Sequence, residues 1–139
     1  MRLERFIEAQ APIYDQALAE LRAGRKQSHW MWFIFPQIAG LGQSPMSRAF
    51  AIQTLEEARA YWAHPLLGAR LRECCQALMN LRGPSAEDVF GAVDAMKLRS
   101  CLTLFAEAEP EGVLFFNLLE KYFDGDADEV TLEILADQE

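Results

Sequence analysis

A chain of 139 residues, 51% hydrophobic and 24% charged, is long enough for one domain with a sizeable core and too apolar for disorder. Its net charge of −8 is concentrated at one end, where residues 105–139 hold eleven acids and one lysine, which speaks against broad nucleic-acid binding. No apolar run approaches the ~20 residues that cross a bilayer, and the start Met1-Arg2-Leu3-Glu4-Arg5 has no secretory pattern.

The first element reads as a helix: Phe6, Gln10, Ile13, Tyr14, Ala17, Leu18 and Leu21 recur at three- and four-residue steps, and Gly24 is a natural stop. Pro12 inside that pattern predicts a kink or break. The block Trp30 to Phe35 is apolar on every side, so periodicity leaves short helix and buried strand both open. The loop Gly40-Leu41-Gly42-Gln43 runs into Ser44-Pro45, an N-cap with proline at the first helical position. Thr54 and Glu57 have capping-box spacing and predict a helix that stops by His64, because Pro65 disfavours helix before it. A longer helix then carries Leu67, Leu71, Cys74, Cys75 and Leu78. Ser85-x-x-Asp88 predicts a short helical turn, and Asp94 a cap for another helix bearing Met96, Leu98, Leu102 and Phe105. Pro110 ends it. Phe115, Leu118, Leu119 and Tyr122 mark a further helix, and Thr131 to Leu135 a last short one. With no alternating stretch, no hairpin signal and no repeat, the expected fold is a single compact all-α domain of about seven helices with irregular loops. The cysteines Cys74, Cys75 and Cys101 have neither metal nor redox spacing, so packing thiols in a reduced, cytoplasmic protein are expected.

Against the acidic background, Leu21 to Leu55 contains no Asp or Glu, yet it holds Arg22, Arg25, Lys26, His29, Arg48 and the block Trp30-Met31-Trp32-Phe33. A cationic, aromatic island suits an anionic, flat ligand. Lys26, His29, Trp30 and Trp32 could supply cation and stacking surface; the plain alternative is that the aromatics are core, Lys26 is solvated and His29 is simply hydrogen-bonded. Gly42, Ser44, Ser47 and Arg48 could hold phosphate at a helix start; the alternative is a tight turn with a good cap. Asp94 and Lys97 share a helix face and could act as a catalytic acid/base pair in a cleft, or form an exposed ion pair. Ser100 and Thr103 extend that face or bond back to carbonyls. Asp124-x-Asp126-x-Asp128 fails as a calcium loop, because Glu129 stands where glycine is required and Leu135 where the bidentate Glu belongs. It reads as a solvated loop capping the last helix. The spacing of His29 and His64 supports no metal site, and no cofactor or oligomeric state is legible.

The string Gly24-Arg25-Lys26-Gln27-Ser28-His29-Trp30-Met31-Trp32-Phe33-Ile34-Phe35-Pro36-Gln37-Ile38, followed by Gly40-Leu41-Gly42-Gln43-Ser44, resembles the signature of the bacterial family DUF1810. Glu57-Ala58-x-Ala60-Tyr61, His64-Pro65-Leu66-Leu67-Gly68, Lys97-Leu98-Arg99-Ser100 with Thr103-Leu104-Phe105, and Lys121-Tyr122-Phe123 agree with it. The family usually reads Ser-Ser-Met-Thr-Leu-Phe where this chain has Ser100-Cys101-Leu102-Thr103-Leu104-Phe105, a packing change. The resemblance implies a compact, mainly helical domain and no activity. A fainter similarity to the NADAR group, on the Trp/Phe-rich segment, the helix Glu57-Ala58-x-Ala60-Tyr61 and the Asp-containing tail, implies ADP-ribose or NAD chemistry.

Two functions follow as expectations. In the first, the acid-free segment and the Asp94/Lys97 helix form a pocket for a phosphate-bearing, aromatic small molecule. An ADP-ribose or NAD derivative is the candidate, with hydrolysis of an ADP-ribosyl linkage as its reaction. In the second, the aromatic block is an exposed patch that docks another protein, with no catalysis.

Overall fold

Proline at position 12 does more than bend a helix. In the computed structural model, which describes residues 2–138, it separates α1 (Glu4–Gln10) from α2 (Tyr14–Ala23). The chain between them turns through Ile13, whose carbonyl then accepts from Ala17 N–H at 2.9 Å and starts α2. Gly24 closes α2 in the left-handed conformation that glycine adopts without strain, and the N–H groups of Gly24 and Arg25 bond back to Leu21 and Glu20.

The apolar block resolves as the short helix α3 (Met31–Ile34). Then come α4 (Pro45–Ala49), α5 (Leu55–Ala63) and α6 (Leu67–Asn80). The short turn expected from Ser85 and the helix expected near Asp94 are the two helical stretches of α7 (Ala86–Ala108), which opens with a Ser85/Asp88 capping box and leaves helical geometry at Gly91 (φ 81°, ψ 163°). Only glycine takes that backbone angle readily. The chain ends in α8 (Leu114–Phe123) and α9 (Glu129–Asp137). The described residues thus hold nine helices rather than about seven, and no strand; Ile38 and Ile52 make one isolated parallel bridge. No described helix is long and apolar enough to cross a membrane.

The second half of α7 is the axis of the core. Leu98, Cys101, Leu102, Leu104 and Phe105 are fully buried there, and α5, α8 and α9 pack around it. Phe105 touches both Tyr61 and Phe115 at aromatic packing distances of 5.5 and 5.6 Å. Cys74, Cys75 and Cys101 are free and buried, and burial pushes their thiols up, Cys74 to about 12. Such thiols pack and do not react.

The acidic end is tied down by the same helix. Arg99 donates to the carbonyls of Asp126 (2.6 Å) and Ala127 (2.9 Å) and pairs with the Asp126 carboxylate. Ser100 Oγ donates to Asp128, whose own N–H donates to Thr103 Oγ1. Asp128 then caps α9 through Thr131. Thr103 Oγ1 also donates back to the Arg99 carbonyl, so these two hydroxyls knit the fold.

Candidate functional site

The site begins with Glu20, near the end of α2. Its carboxylate accepts from Gln27 N–H (2.7 Å), Ser28 N–H (2.9 Å), Ser28 Oγ (2.7 Å) and the Trp30 indole N–H (3.0 Å). Burial alone would raise its pKa; these donors, Gln27 and Ser28 foremost, bring it instead to about 2. A buried, ionised carboxylate thereby folds the segment 24–30 onto α2. Lys26 N–H donates to Val89 O at 2.8 Å, which docks the same segment on the first turns of α7.

Lys26 is thus delivered to Asp94. Its Nζ lies 3.0 Å from Asp94 Oδ2 and donates to Ser28 O at 2.6 Å. Lys97, one turn along α7, donates to Asp94 Oδ1 at 3.0 Å. Asp94 is therefore bridged between two ammonium groups. Burial raises its pKa, but the bonds and charges of Lys26 and Lys97 outweigh that and hold it below the usual carboxylate range. It stays ionised near neutrality, the state in which a carboxylate accepts a proton.

Each lysine also covers a tryptophan. Lys26 Nζ stands 4.9 Å from the Trp30 ring centroid and Lys97 Nζ 4.0 Å from that of Trp32. The two tryptophans have different fates. Trp30 is fully buried between Phe35 and Phe90, its N–H held by Glu20, so it belongs to the core rather than to a stacking platform. Trp32 is half-buried and forms a wall of a cleft that Gln37, Gly40, Gly42 and Ser47 complete.

The glycine loop fits against that wall. A Cβ on Gly42 would come within 2.8 Å of the Ser47 side chain and 3.9 Å of the Trp32 ring. Ser44 and Ser47 satisfy one another: Ser47 N–H donates to Ser44 Oγ, and Ser47 Oγ to Ser44 O. Their cap is filled from within, so the expected phosphate cradle at this short helix is already occupied by its own side chain. Arg48 lies apart from Trp32. It donates to Gln43 and lines a separate hollow of about 370 Å³ with Arg2, Arg5 and Gln53. His29 is exposed.

The structure therefore joins Lys26, Asp94 and Lys97 in one charged cluster that reaches Trp32 through Lys97, and lines the cleft with Trp32, Gly42 and Ser47; Trp30, His29, Ser44 and Arg48 do not line it. Two residues escaped the sequence reading. Glu20 looked like one more helix-surface acid, and Gln37 like a polar end to an apolar block. The capacious groove between α2 and α6, about 540 Å³ beside Arg22, Arg72 and Glu73, takes only Arg22 from the acid-free segment and none of the candidate site residues.

The family model described as a protein of unknown function, DUF1810, matches residues 1–135. The chain belongs to the DUF1810 family. A solved structure described as the conserved hypothetical protein Rv1873 from Mycobacterium tuberculosis is similar to this DUF1810 chain, at 50% identity and a TM-score of 0.95, over 96% of each chain. No curated protein matches it. These likenesses carry the DUF1810 relation and the helical fold; a NADAR relation is not shown by them, so the expectation drawn from that group loses its support.

Proposed function

We propose that this DUF1810 protein binds an anionic, nucleotide-like small molecule on the surface where Lys97 meets Trp32. The observation that carries the reading is the Lys26–Asp94–Lys97 bridge against Trp32: two ammonium groups around one carboxylate leave a net positive charge beside a half-buried aromatic wall. Lys97 is the phosphate-holding cation, because it can exchange its bond to Asp94 for one to phosphate while Lys26 keeps the carboxylate in place. Trp32 offers a base or nicotinamide the part of its ring that Lys97 leaves uncovered, or the face freed when Lys97 turns to phosphate.

In its finer form the ligand is an ADP-ribose or NAD derivative. For hydrolysis of an ADP-ribosyl linkage, the ionised Asp94 suits the positive charge that grows on the sugar as its bond to the leaving group breaks. Water would add to the sugar carbon and its proton would go to the leaving group.

The protein-docking alternative needs the aromatic block at the surface. Trp30, Met31, Phe33, Ile34 and Phe35 are buried and Trp32 lies under Lys97, which favours the cleft.

The test is a thermal-shift series with ADP-ribose, NAD, AMP and inorganic phosphate. A ligand at ~100 times its dissociation constant adds about 2.7 kcal/mol, which raises the midpoint of a chain this size by several degrees. The expected result is a rise with a nucleotide that Lys97→Ala removes and Arg48→Ala leaves intact. No rise with any of the four, or a rise unchanged in Lys97→Ala, overturns the reading.

A further inference from the structure

The hollow beside Arg48 concentrates positive charge away from Trp32. Arg2, Arg5 and Arg48 line its space of about 370 Å³ together with Ala49, Gln53 and Glu57. Glu57 is the one carboxylate among these lining residues, and it is already engaged: it accepts from Gln53 N–H at 2.8 Å and stands 3.7 Å from Arg5 Nη1. Arg2 and Arg48 have no ion-pair partner among the described residues. Two positive charges are thus unmatched at one concave place on a chain whose net charge is −8.

The fold holds this place in shape through Arg5. Its side chain is 15% exposed, and its guanidinium donates to the carbonyls of Ala49 (2.9 Å), Ala51 (2.7 Å) and Arg2. Those bonds tie the N-terminal segment to the end of α4, so the backbones that carry Arg2 and Arg48 are set before any ligand arrives. Gln53 is held from both sides, by its N–H on Glu57 and by its carbonyl, which accepts from Gln138 Nε2 at 2.8 Å. Arg48 gives Nη2 to Gln43 at 2.9 Å; the rest of its planar fork suits carboxylate and phosphate oxygens.

The ligand is defined as much by what the hollow lacks. None of its lining residues is aromatic, so a base or nicotinamide ring finds no aromatic face to lie on, unlike at Trp32. Recognition rests on charge and on N–H donors, and two unmatched guanidiniums call for two negative charges close together. We propose that this hollow is a second binding site, separate from the Trp32 surface, for a compact, ring-free anion of at least two negative charges: a polycarboxylate or a short polyphosphate. Arg2 and Arg48 bind it, and Arg5 positions them.

Calorimetric titration of the full chain with citrate, pyrophosphate and acetate tests this, at low and constant ionic strength because salt screens exposed charges. The expected result is saturable binding of citrate or pyrophosphate at one per chain, with singly charged acetate too weak to measure. The tighter of the two names the source of the anion. Arg2→Gln and Arg48→Gln should each weaken that binding ~10-fold. Arg25→Gln removes the same charge from an exposed arginine outside the hollow and should leave affinity unchanged. Arg2 and Arg48 are exposed, so the unliganded thermal midpoints of their variants should equal that of the wild type. No saturable binding of either polyanion overturns the proposal. So does binding that survives both Arg2→Gln and Arg48→Gln, or an equal loss in Arg25→Gln, which would mark a response to net charge alone. None of these outcomes touches the nucleotide reading, which turns on Lys97.

Discussion

Lys26 Nζ and Asp94 Oδ2 meet at 3.0 Å, one from the turn after α2 and the other from the middle of α7. The Lys26 side chain is only 8% exposed, so its charge is largely withdrawn from water and relies on that carboxylate. The contact is at once a clasp between two parts of the fold and the foundation of the cleft, because it fixes the carboxylate that Lys97 also shares.

Asp94→Asn should therefore cost stability. It leaves Lys26 and Lys97 facing a neutral amide, and a partly buried ammonium without its partner costs ~1–3 kcal/mol. The pH dependence has a definite sign. Asp94 is held below its ordinary value of 3.8 in the folded protein, so its contribution is present above 3.8 and is lost as pH falls through the lower, folded value. Urea unfolding at a series of pH values should show wild type and variant well separated at pH 7 and converging in acid. Curves that run parallel down to pH 3 would show the pair to be energetically idle.

Glu20 makes a larger contribution of the same sign. Lowering a carboxyl from 4.5 to about 2 is worth roughly 3 kcal/mol. That stability is complete above pH 4.5 and drains away between 4.5 and about 2. Glu20→Gln keeps the shape but cannot accept from its five donors, Gln16 Nε2 among them, with a full charge. It should be less stable at pH 7 by ~2–3 kcal/mol, with the deficit shrinking below pH 4.5. Because the lost bond includes the Trp30 indole N–H, Trp30 fluorescence should change as well, which separates a local loosening from a general one.

Most of what was legible beforehand is local chemistry. Ser44, Thr54, Ser85 and Asp128 each announce a helix start through residues one turn away, and each caps one here. Even there the detail differs: Glu57 accepts from Gln53 N–H rather than completing the box on Thr54. Pro12 was visible as a disturbance, but whether it bends or breaks a helix depends on how Phe6 and Gln10 are packed, which lies beyond local pattern. Ser85 and Asp94 marked two helical stretches in α7, and the break between them falls at Gly91, three residues before Asp94. Of the site, the cationic and aromatic segment and the Asp94/Lys97 face were readable as charge and periodicity. Their meeting through Lys26 was not, because no local rule pairs residues so far apart. Trp30 and Trp32 look alike in sequence; only Glu20, which claims the Trp30 N–H, sends one to the core and leaves the other at the surface.

Gly68 tests the packing of α6 on α5. A Cβ there would stand 2.1 Å from the carbonyl oxygen of Trp62, a backbone atom with no room to yield. Gly68 is fully enclosed in the first turns of α6, where Leu67 and Leu71 enter the core. Alanine favours helix by ~1 kcal/mol over glycine, so on propensity alone Gly68→Ala would stabilise. The clash should dominate, with a net loss of at least ~2 kcal/mol. Chemical unfolding of this one variant decides between the two effects by sign.

Lys97 is the residue at which stability and binding should part company. Its side chain is 22% exposed, and its contacts are one ion pair to Asp94 and the face of Trp32 at 4.0 Å. Exposed and half-exposed contacts of both kinds are worth up to ~1 kcal/mol each. Asp94 keeps Lys26 when Lys97 is shortened, so no buried charge is stranded. Lys97→Ala should accordingly lower stability by only ~1 kcal/mol. Its optical effect should be larger, because the amine is what screens Trp32 from water. Trp30 is sealed in the core, and Trp62 lies under Arg72 at 4.3 Å, so a rise in acrylamide quenching and a shift to longer wavelength would report Trp32. Unchanged emission would mean that Trp32 is sheltered by the cleft itself. A stability loss as large as that of Asp94→Asn would make Lys97 a structural residue, and its effect on nucleotide binding would then have to be measured against a variant of equal stability.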